Sequence, residues 1–240
     1  MTANLEVARK LLADAPNVVS FSGAGLSAES GIATFRDPDG VWKQVDPTVY
    51  ASAQGFQSQP TAVSAWYAAR RRTLADTTPN DAHRALARSG WQSHITQNVD
   101  NLLERAGAPN VVHLHGTLDS DRCHAGCGYV VAVDLARPPS LSTCPDCGAM
   151  LRPNVVWFGE MLPASAWATA ESAIQRADVA VVIGTSAEVW PAAGLIAEAR
   201  KVISVNTERT YAGRWATVEL IGSAATILPM LVTAADPNIR

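Results

Sequence analysis

The 240-residue chain lacks the features of nucleic-acid-binding, membrane-spanning and disordered proteins. Its formal net charge is -3, so it has no excess of basic residues of the kind that binds nucleic acid or anionic lipid. It contains no apolar run long enough to cross a bilayer. Hydrophobic residues make up 48% of the chain and charged residues 17%, a composition that supports a full core and argues against disorder. We therefore expect a folded protein that binds neither nucleic acid nor membranes directly.

A secretory signal is also missing from the start of the chain. The opening segment MTANLEVARKLLADAP carries Glu6 and Asp14 and has an amphipathic rather than a uniformly apolar pattern. This pattern predicts a first helix and not a signal peptide. We therefore expect a cytoplasmic protein.

Cysteine is absent outside one short window, which holds Cys123, Cys127, Cys144 and Cys147. Two close pairs in a long chain without an export signal are more typical of a metal site than of disulfides or of four free surface thiols. The second pair has two residues between its cysteines, which is the spacing of a zinc ribbon. The first pair is wider, so His124 could replace one ligand or one of the cysteines could be left unbound. We predict a closed, structural site of four cysteines.

Short apolar runs alternate with helical stretches along the rest of the chain. The predicted strands are the run NVVSFSGAG from Asn17 and residues 91–96, 111–114, 154–158, 178–183 and 202–205. Helical sequence, such as residues 164–176 and 192–201, lies between several of them. This alternation predicts an α/β fold with a doubly wound, Rossmann-like parallel sheet.

Two insertions interrupt the alternation. Residues 36–90 combine a Pro/Asp/Gly-rich loop with helical sequence and are too long for a plain crossover between strands. Residues 117–152 contain the cysteines and little periodicity, which predicts a small zinc-ribbon-like module. The sheet domain would then consist of residues 1–35, 91–116 and 153–240.

The segment GAGLSAESG at residues 23–31 follows the first predicted strand and opens a helix. In that context backbone N–H groups can receive a pyrophosphate. An ordinary dinucleotide-binding dehydrogenase would place an acidic ribose ligand about 20 residues further on, but this chain has the loop RDPDGVWKQVDP there. A tight turn would explain Gly23 and Gly25 by geometry alone, yet it does not explain the run that continues through GIATFR.

Several motifs, in this order, resemble the sirtuins, which are NAD-dependent protein lysine deacylases. They are GAGLSAESGIATFR at 23–36, QNVD at 97–100, HG at 115–116, the two cysteine pairs, VVWFGE at 155–160, GTS at 184–186 and NTE at 206–208. Departures from the family are Ala33, where proline is common, and the wider first cysteine pair. The resemblance spans nearly the whole chain. It implies an NAD-binding sheet domain, NAD consumed as a co-substrate, one structural zinc and acyl-lysine proteins or peptides as substrates.

The same resemblance implies which residues contact NAD. Arg36 suits phosphate oxygens, Asn98 and Asp100 suit the nicotinamide amide, and Glu208 supplies the acidic ribose ligand that is absent earlier. The full set of implied cofactor residues is Gly23, Ala24, Gly25, Ser27, Ile32, Phe35, Arg36, Gln97, Asn98, Asp100, Gly184, Thr185, Ser186, Asn206, Glu208 and Ala224.

His115 is implied as the general base, with Asn98 and Asp100 as further catalytic residues. His113 lies two residues earlier and shares a strand face with it, so spacing alone does not separate the two histidines. The family's acyl-lysine tunnel corresponds to Val156, Trp157, Phe158 and Gly159, although the two aromatic residues could equally belong to the core.

The helical segment WYAARRR at residues 66–72 carries Tyr67 and Arg70 on one face, whereas Arg71 and Arg72 point elsewhere and are expected to be solvated. In the sirtuin branch that removes acidic acyl groups, a tyrosine and an arginine at this spacing lie at the acyl pocket. Tyr67 and Arg70 look like that pair, so the resemblance implies a desuccinylase or demalonylase with weaker deacetylase activity. The alternatives are a protein deacetylase, a protein ADP-ribosyltransferase and a non-catalytic NAD-binding module.

Overall fold

A computed structural model describes residues 2–34 and 40–232. Within these residues, six strands form one sheet in which every neighbouring pair is parallel, in the order β3-β2-β1-β7-β8-β9. These strands are β1 (Val18–Ser22), β2 (Ser93–Thr96), β3 (Val111–His113), β7 (Val179–Ile183), β8 (Val202–Asn206) and β9 (Val218–Ile221). The order reverses direction between β1 and β7, which is the arrangement of a doubly wound sheet. The predicted fold class is confirmed.

The remaining strands form a second, antiparallel sheet in the order β5-β4-β6. They are β4 (Gly116–Cys123), β5 (Val130–Ala132) and β6 (Leu151–Val155). All three lie between β3 and β7 in the sequence and carry the cysteine window. The prediction that residues 154–158 form a strand of the parallel sheet is wrong, because β6 ends at Val155 and pairs with β4.

Helices fill the connections between the strands. Their bounds are α1 (Thr2–Ala13), α2 (Gly25–Ala28), α3 (Val41–Gln44), α4 (Pro47–Tyr50), α5 (Ala53–Ser58), α6 (Pro60–Asp76), α7 (Asp81–Arg88), α8 (Leu102–Arg105), α9 (Ala164–Arg176), α10 (Gly194–Ala197) and α11 (Ala224–Leu231), with a 3-10 helix at Tyr211–Trp215. The stretch expected to be helical at 192–201 shortens to α10, whereas α9 has the bounds that the sequence predicts. No helix in the described ranges is long and apolar enough to cross a membrane.

The central strands β1 and β7 are buried on both faces, and the sequence of β7, VAVVI, is the continuous apolar run that such burial favours. Successive side chains of β7 point to opposite faces, so Val179 and Val181 pack against α1, α7 and α11, while Ala180 and Val182 pack against α9 and α10. This two-sided core fixes the strands and holds their carboxyl ends at one edge. The loops that follow those ends therefore meet there.

A third apolar cluster joins the helical insertion to the antiparallel sheet, with Phe56, Tyr67 and Trp157 among its buried members. A buried ion pair holds the two parts together, because Arg71 Nη2 lies 2.7 Å from Asp121 Oδ1 and Arg71 Nε donates to the Leu118 carbonyl at 2.7 Å. Arg71 is only 3% exposed, so its expected place on a solvated helix face is wrong. Its partner lies on β4, which helix periodicity alone does not reveal.

Acid is expected to destabilise the fold through two buried histidines. Burial lowers the pKa of His94 to about 4, and burial, assisted by the charge of Arg84, lowers that of His83 to about 4. An unfolded chain would take up these protons near pH 6.5, so between pH 6.5 and 4 it binds more protons than the folded chain. As the pH is lowered through that window, the free energy of unfolding should decrease by up to about 1.4 kcal/mol per pH unit for each histidine.

Urea unfolding of wild type and His94→Asn at pH 7 and pH 5 measures this effect. The variant should be less stable at pH 7, because the hydrogen bond between Ser20 Oγ and His94 Nδ1 is altered, but it should lose less stability on acidification. Equal losses of stability in the two proteins would contradict the assignment to His94.

Candidate active site

The loops that follow β1 and β7 touch each other through glycine backbone. Gly23 N–H donates to the Ile183 carbonyl at 2.9 Å and Gly25 N–H donates to the Gly184 carbonyl at 2.8 Å. A Cβ added to Gly25 would lie 2.7 Å from Gly184 Cα, so no larger residue fits without a shift of backbone. Gly184 itself has φ +57°, a conformation that favours glycine. This contact forms the floor of a crevice where the strand order reverses, the usual ligand position in such sheets.

An open cleft of about 430 Å³ runs along this crevice. It brings together many of the predicted cofactor residues, from both ends of the chain. These are Ala24, Gly25, Gln97, Asn98, Gly184, Thr185, Ser186, Asn206, Glu208 and Ala224. Gly23 lies beneath the cleft, packed against Thr185. Phe35 and Arg36 lie outside the described residues.

Gln97 offers this cleft an unsatisfied donor. Its Oε1 accepts a hydrogen bond from Thr185 Oγ1 at 3.0 Å, which orients the amide. Its Nε2 is buried and has no partner among the described residues. A buried unpaired donor is costly unless a ligand completes it. The cleft therefore fits an elongated polar ligand with hydroxyl or phosphate oxygens, such as NAD.

An inner cavity of about 270 Å³ continues from the cleft and is lined by Ser27, Ile32, Asn98 and Asp100. Ser27 Oγ donates to Asp100 Oδ2 at 2.9 Å and accepts from Asn98 Nδ2 at 3.2 Å. Burial raises the pKa of Asp100, although hydrogen bonds from Leu102 and Ser27 oppose that rise. The cavity thus presents an amide and a carboxyl group over the apolar side chain of Ile32, which suits a flat aromatic carboxamide.

His83 belongs to this network, and sequence reasoning did not identify it. Its Nδ1 accepts the Asn80 backbone N–H at 3.2 Å, so in the neutral ring its Nε2 carries the proton and faces Ser27 Oγ at 3.3 Å. The lowered pKa of His83, caused first by burial, keeps the ring neutral. Ser27 therefore accepts from His83 and Asn98 and donates to Asp100. The available signal was the helix cap at Asn80, in which a histidine takes the place usually held by Glu or Gln.

Hydrogen bonds distinguish His113 from His115. His113 places Nδ1 2.9 Å from the Asn98 carbonyl and Nε2 2.7 Å from Glu104 Oε1, so both ring nitrogens face acceptors. Burial alone would lower the pKa of His113, but Glu104 outweighs it and the pKa is raised. Both ring nitrogens of His113 are therefore engaged, one of them by the Asn98 carbonyl, and neither is available to a ligand as a base.

His115 has a different arrangement. Its Nδ1 lies 2.9 Å from the Gln97 carbonyl, which can only accept, so Nδ1 carries the proton. In the neutral ring Nε2 then holds the lone pair that a general base needs. His115 lines both the open cleft and a third, aromatic cavity, and so stands where two ligands could meet.

The aromatic cavity, of about 190 Å³, brings together the predicted substrate residues. These are Tyr67, Arg70, Val156, Trp157, Phe158 and Gly159. Trp157 is 2% exposed and forms part of the wall of this cavity, whereas Phe158 is 53% exposed and lies at its mouth. Arg70 is half-buried, lies 4.9 Å from the centroid of the Trp66 ring and lines both the aromatic and the inner cavity.

The phenol of Tyr67 has a fixed hydrogen-bond polarity. The Trp157 indole N–H donates to its oxygen at 2.8 Å, so the phenol O–H is the group left to donate elsewhere. Burial raises the pKa of Tyr67 to about 12, which keeps this proton in place at neutral pH. Tyr67 and Arg70 thus give the cavity a neutral donor and a cationic donor for an acceptor-rich ligand.

The four cysteines converge in the antiparallel sheet and its loops. Their Sγ atoms all lie within 4.8 Å of one another, with Cys123 to Cys147 at 3.4 Å and Cys127 to Cys144 at 3.5 Å. Tetrahedral zinc with Zn–S bonds of about 2.3 Å requires neighbouring sulfurs about 3.8 Å apart, so this cluster fits it. His124 instead packs its ring on Phe56 and places Nε2 beside Gln57. The predicted four-cysteine site, able to hold zinc, is confirmed.

Comparisons with known proteins give consistent matches. The Sir2 family model matches residues 23–191. The chain is 46% identical over 231 residues to the NAD-dependent protein deacylase Sir2 of Mycolicibacterium smegmatis, which covers 90% of this chain and 95% of that protein. A solved Sir2 homologue–NAD complex has a TM-score of 0.88 at 42% identity, covering 95% of this chain and 92% of its own. A Sir2–p53 peptide–NAD+ complex has a TM-score of 0.78 at 30% identity, covering 91% and 93%.

Metal analysis of the intact protein should find one zinc per chain. Cys144 is buried, so Cys144→Ser should abolish stoichiometric zinc and lower the melting temperature by roughly 5–15 °C, because metal-binding free energy contributes directly to folding. Ser142→Ala, in the same segment, is the matched control and should keep its zinc. A wild-type protein without zinc, or a Cys144→Ser variant that retains it, would overturn the assignment.

Proposed function

Since the chain belongs to the Sir2 family, whose relatives are NAD-dependent protein deacylases, we propose that it removes acidic acyl groups, succinyl or malonyl, from protein lysines. The reaction consumes NAD and yields nicotinamide and O-acyl-ADP-ribose. The observation that carries the proposal is one cavity lined by Tyr67, Arg70 and His115. Deacetylation would be a weaker activity of the same site.

The three connected cavities suit the two substrates of this reaction. NAD would extend through the open cleft and place its nicotinamide against Asn98 and Asp100 in the inner cavity. The acyl-lysine would enter the aromatic cavity past Phe158. Both ligands would meet beside Gln97 and His115, which line the cleft and the aromatic cavity together. This arrangement would bring the acyl oxygen to the ribose.

His115 is the residue best placed to accept a proton from a ribose hydroxyl. Its Nδ1–H is held by the Gln97 carbonyl, which turns Nε2 into the acceptor, whereas both nitrogens of His113 are committed to acceptors. The relay from His83 through Ser27 to Asp100 orients the polar groups of the inner cavity. Proton transfer is thus assigned to His115, and binding of the nicotinamide to the polar groups of the inner cavity.

The preference for an acidic acyl group rests on charge in the aromatic cavity. Arg70 offers a planar guanidinium, which can bind a carboxylate through two parallel hydrogen bonds, and Tyr67 offers its O–H. An acetyl group ends in a methyl and would leave both donors without a ligand acceptor. Hydrogen bonds to charged groups contribute about 1.5–3 kcal/mol, which corresponds to a preference of about one to two orders of magnitude.

Replacing His115 should remove catalysis but not cofactor binding. For His115→Asn we expect turnover of an acyl-lysine peptide to fall by about a hundredfold or more, the usual contribution of a general base, with little change in the Kd for NAD. Steady-state kinetics and calorimetric titration with NAD measure the two quantities. His94→Asn, at a buried histidine that lines none of the three cavities, is the histidine control and should leave turnover per folded enzyme unchanged. Near wild-type turnover in His115→Asn would remove His115 from this role.

Replacing Arg70 should change the choice of acyl group. The ratio of kcat/KM for a succinyl-lysine peptide to that for the matched acetyl-lysine peptide should fall by about ten- to a hundredfold in Arg70→Met, because the carboxylate loses its charged partner. Arg72→Met is the matched control, since Arg72 is exposed on the same helix and should leave the ratio unchanged. A wild-type enzyme that prefers acetyl-lysine, with an unchanged ratio in Arg70→Met, would instead identify a deacetylase. Label transfer from NAD to protein without acyl-lysine would indicate an ADP-ribosyltransferase.

A further inference from the structure

The wall of the aromatic cavity ends in a tight turn, residues 157–160, and the carboxylate of Glu160 binds back to the start of that turn. Glu160 N–H donates to the Trp157 carbonyl at 3.0 Å, and Gly159 supplies the positive φ, +83°, of the third turn position. The Glu160 side chain bonds back to the same turn, because its Oε2 accepts the Trp157 backbone N–H at 2.9 Å. Phe158 therefore lies at the tip of a turn in which Trp157 and Glu160 are joined by two hydrogen bonds, one in each direction.

Two arginines of the antiparallel sheet hold that carboxylate from the other side. Arg122 of β4 donates to Glu160 Oε2 at 2.9 Å, and Arg152 of β6 forms a short ion pair with Oε1. Arg152 is 3% exposed, and its Nε has no partner among the described residues. Glu160 is thus the carboxylate that compensates a buried charge, and such a charge is costly when its partner is removed.

Arg152 also supports the cavity wall directly. Its guanidinium carbon lies 3.9 Å from the centroid of the Trp157 ring, and its Nη1 donates to the Val155 carbonyl at 3.0 Å. On its other edge Trp157 donates its indole N–H to Tyr67. A continuous set of contacts therefore runs from the antiparallel sheet through Glu160 and Arg152 to Trp157 and the helix α6 beyond it.

We propose that Glu160 is a positioning residue for the acyl-lysine substrate. Glu160 also lines the aromatic cavity, but both of its carboxylate oxygens are engaged, by Arg122, Arg152 and the Trp157 N–H, so it does not face the substrate as a free charge. Instead it fixes the Trp157–Glu160 turn against Arg122 and Arg152, so that the wall and mouth of the aromatic cavity are set before the peptide arrives. If the wall is already ordered in the free protein, less conformational entropy is lost when the peptide binds. Loss of this order should therefore weaken peptide binding. The inference requires only the deacylase reaction and is independent of the acyl preference proposed above.

The test is Glu160→Gln, which keeps the length of the side chain but removes its charge. Kinetics would be measured with whichever peptide, acetyl-lysine or succinyl-lysine, the wild type turns over better. The KM for peptide should rise by about tenfold, the scale of one lost charged hydrogen bond, while the KM for NAD stays within about twofold. Glu6→Gln, an exposed glutamate on α1, is the matched control and should change neither constant.

Arg122→Gln provides a second variant that keeps the buried Arg152–Glu160 pair, since Arg122 is 30% exposed and less costly to replace. Its KM for peptide should rise by a smaller factor, and the double variant should be no worse than Glu160→Gln, because both changes break one network. A protein that is merely less stable would lose active enzyme, and hence apparent kcat, at unchanged KM. That outcome, or an equal rise in the KM for NAD and for peptide, would overturn the proposal.

Discussion

The backbone contact between Gly25 and Gly184 is the constraint on which the site depends. It joins the loop after β1 to the loop after β7, and it leaves no room for a Cβ on either side. With the two loops this close, the carboxyl ends of the central strands form one continuous floor beneath the cleft. The cleft in turn meets the inner cavity at Asn98 and the aromatic cavity at Gln97 and His115. Gln97, from the neighbouring strand, is fixed to the same floor through Thr185. The polar groups of the site are thus oriented partly by backbone, as His115 is by the Gln97 carbonyl, and partly by neighbouring side chains, as Gln97 is by Thr185.

Three successive arginines of helix α6 lie in three different environments. Arg70 lines the cavities, Arg71 is buried in an ion pair with Asp121, and Arg72 is exposed. Since adjacent residues on a helix differ in direction by about 100°, three equal charges meet an active site, a protein interior and water within one turn. The helix is held to the antiparallel sheet by the middle residue, and the position of Arg70 follows from that attachment.

The sequence predicted the parts of the fold that leave a local pattern. Strand β7 is buried on both faces and is an unbroken apolar run, β1 is apolar except for Ser20 and Ser22, and the spacing of the cysteine pairs predicts their cluster. Partners distant in sequence were not predictable in the same way. The run at 154–158 is apolar because it lines a cavity, not because it is a strand of the main sheet, and Arg71 is charged because Asp121 lies opposite it. His83 was missed for a similar reason, since its role depends on Ser27, which only the fold brings near.

The bonds that define the site join residues far apart along the chain. Thr185 and Gln97 are 88 positions apart, and Trp157 and Tyr67 are 90 apart. Contacts of such long range are costly to form, because the intervening chain must be closed into a loop at an entropic cost. No local segment, including the glycine loop, can assemble a partial version of the three cavities. Recovery of turnover after denaturation would therefore report that the parallel sheet, the antiparallel sheet and helix α6 have all come together.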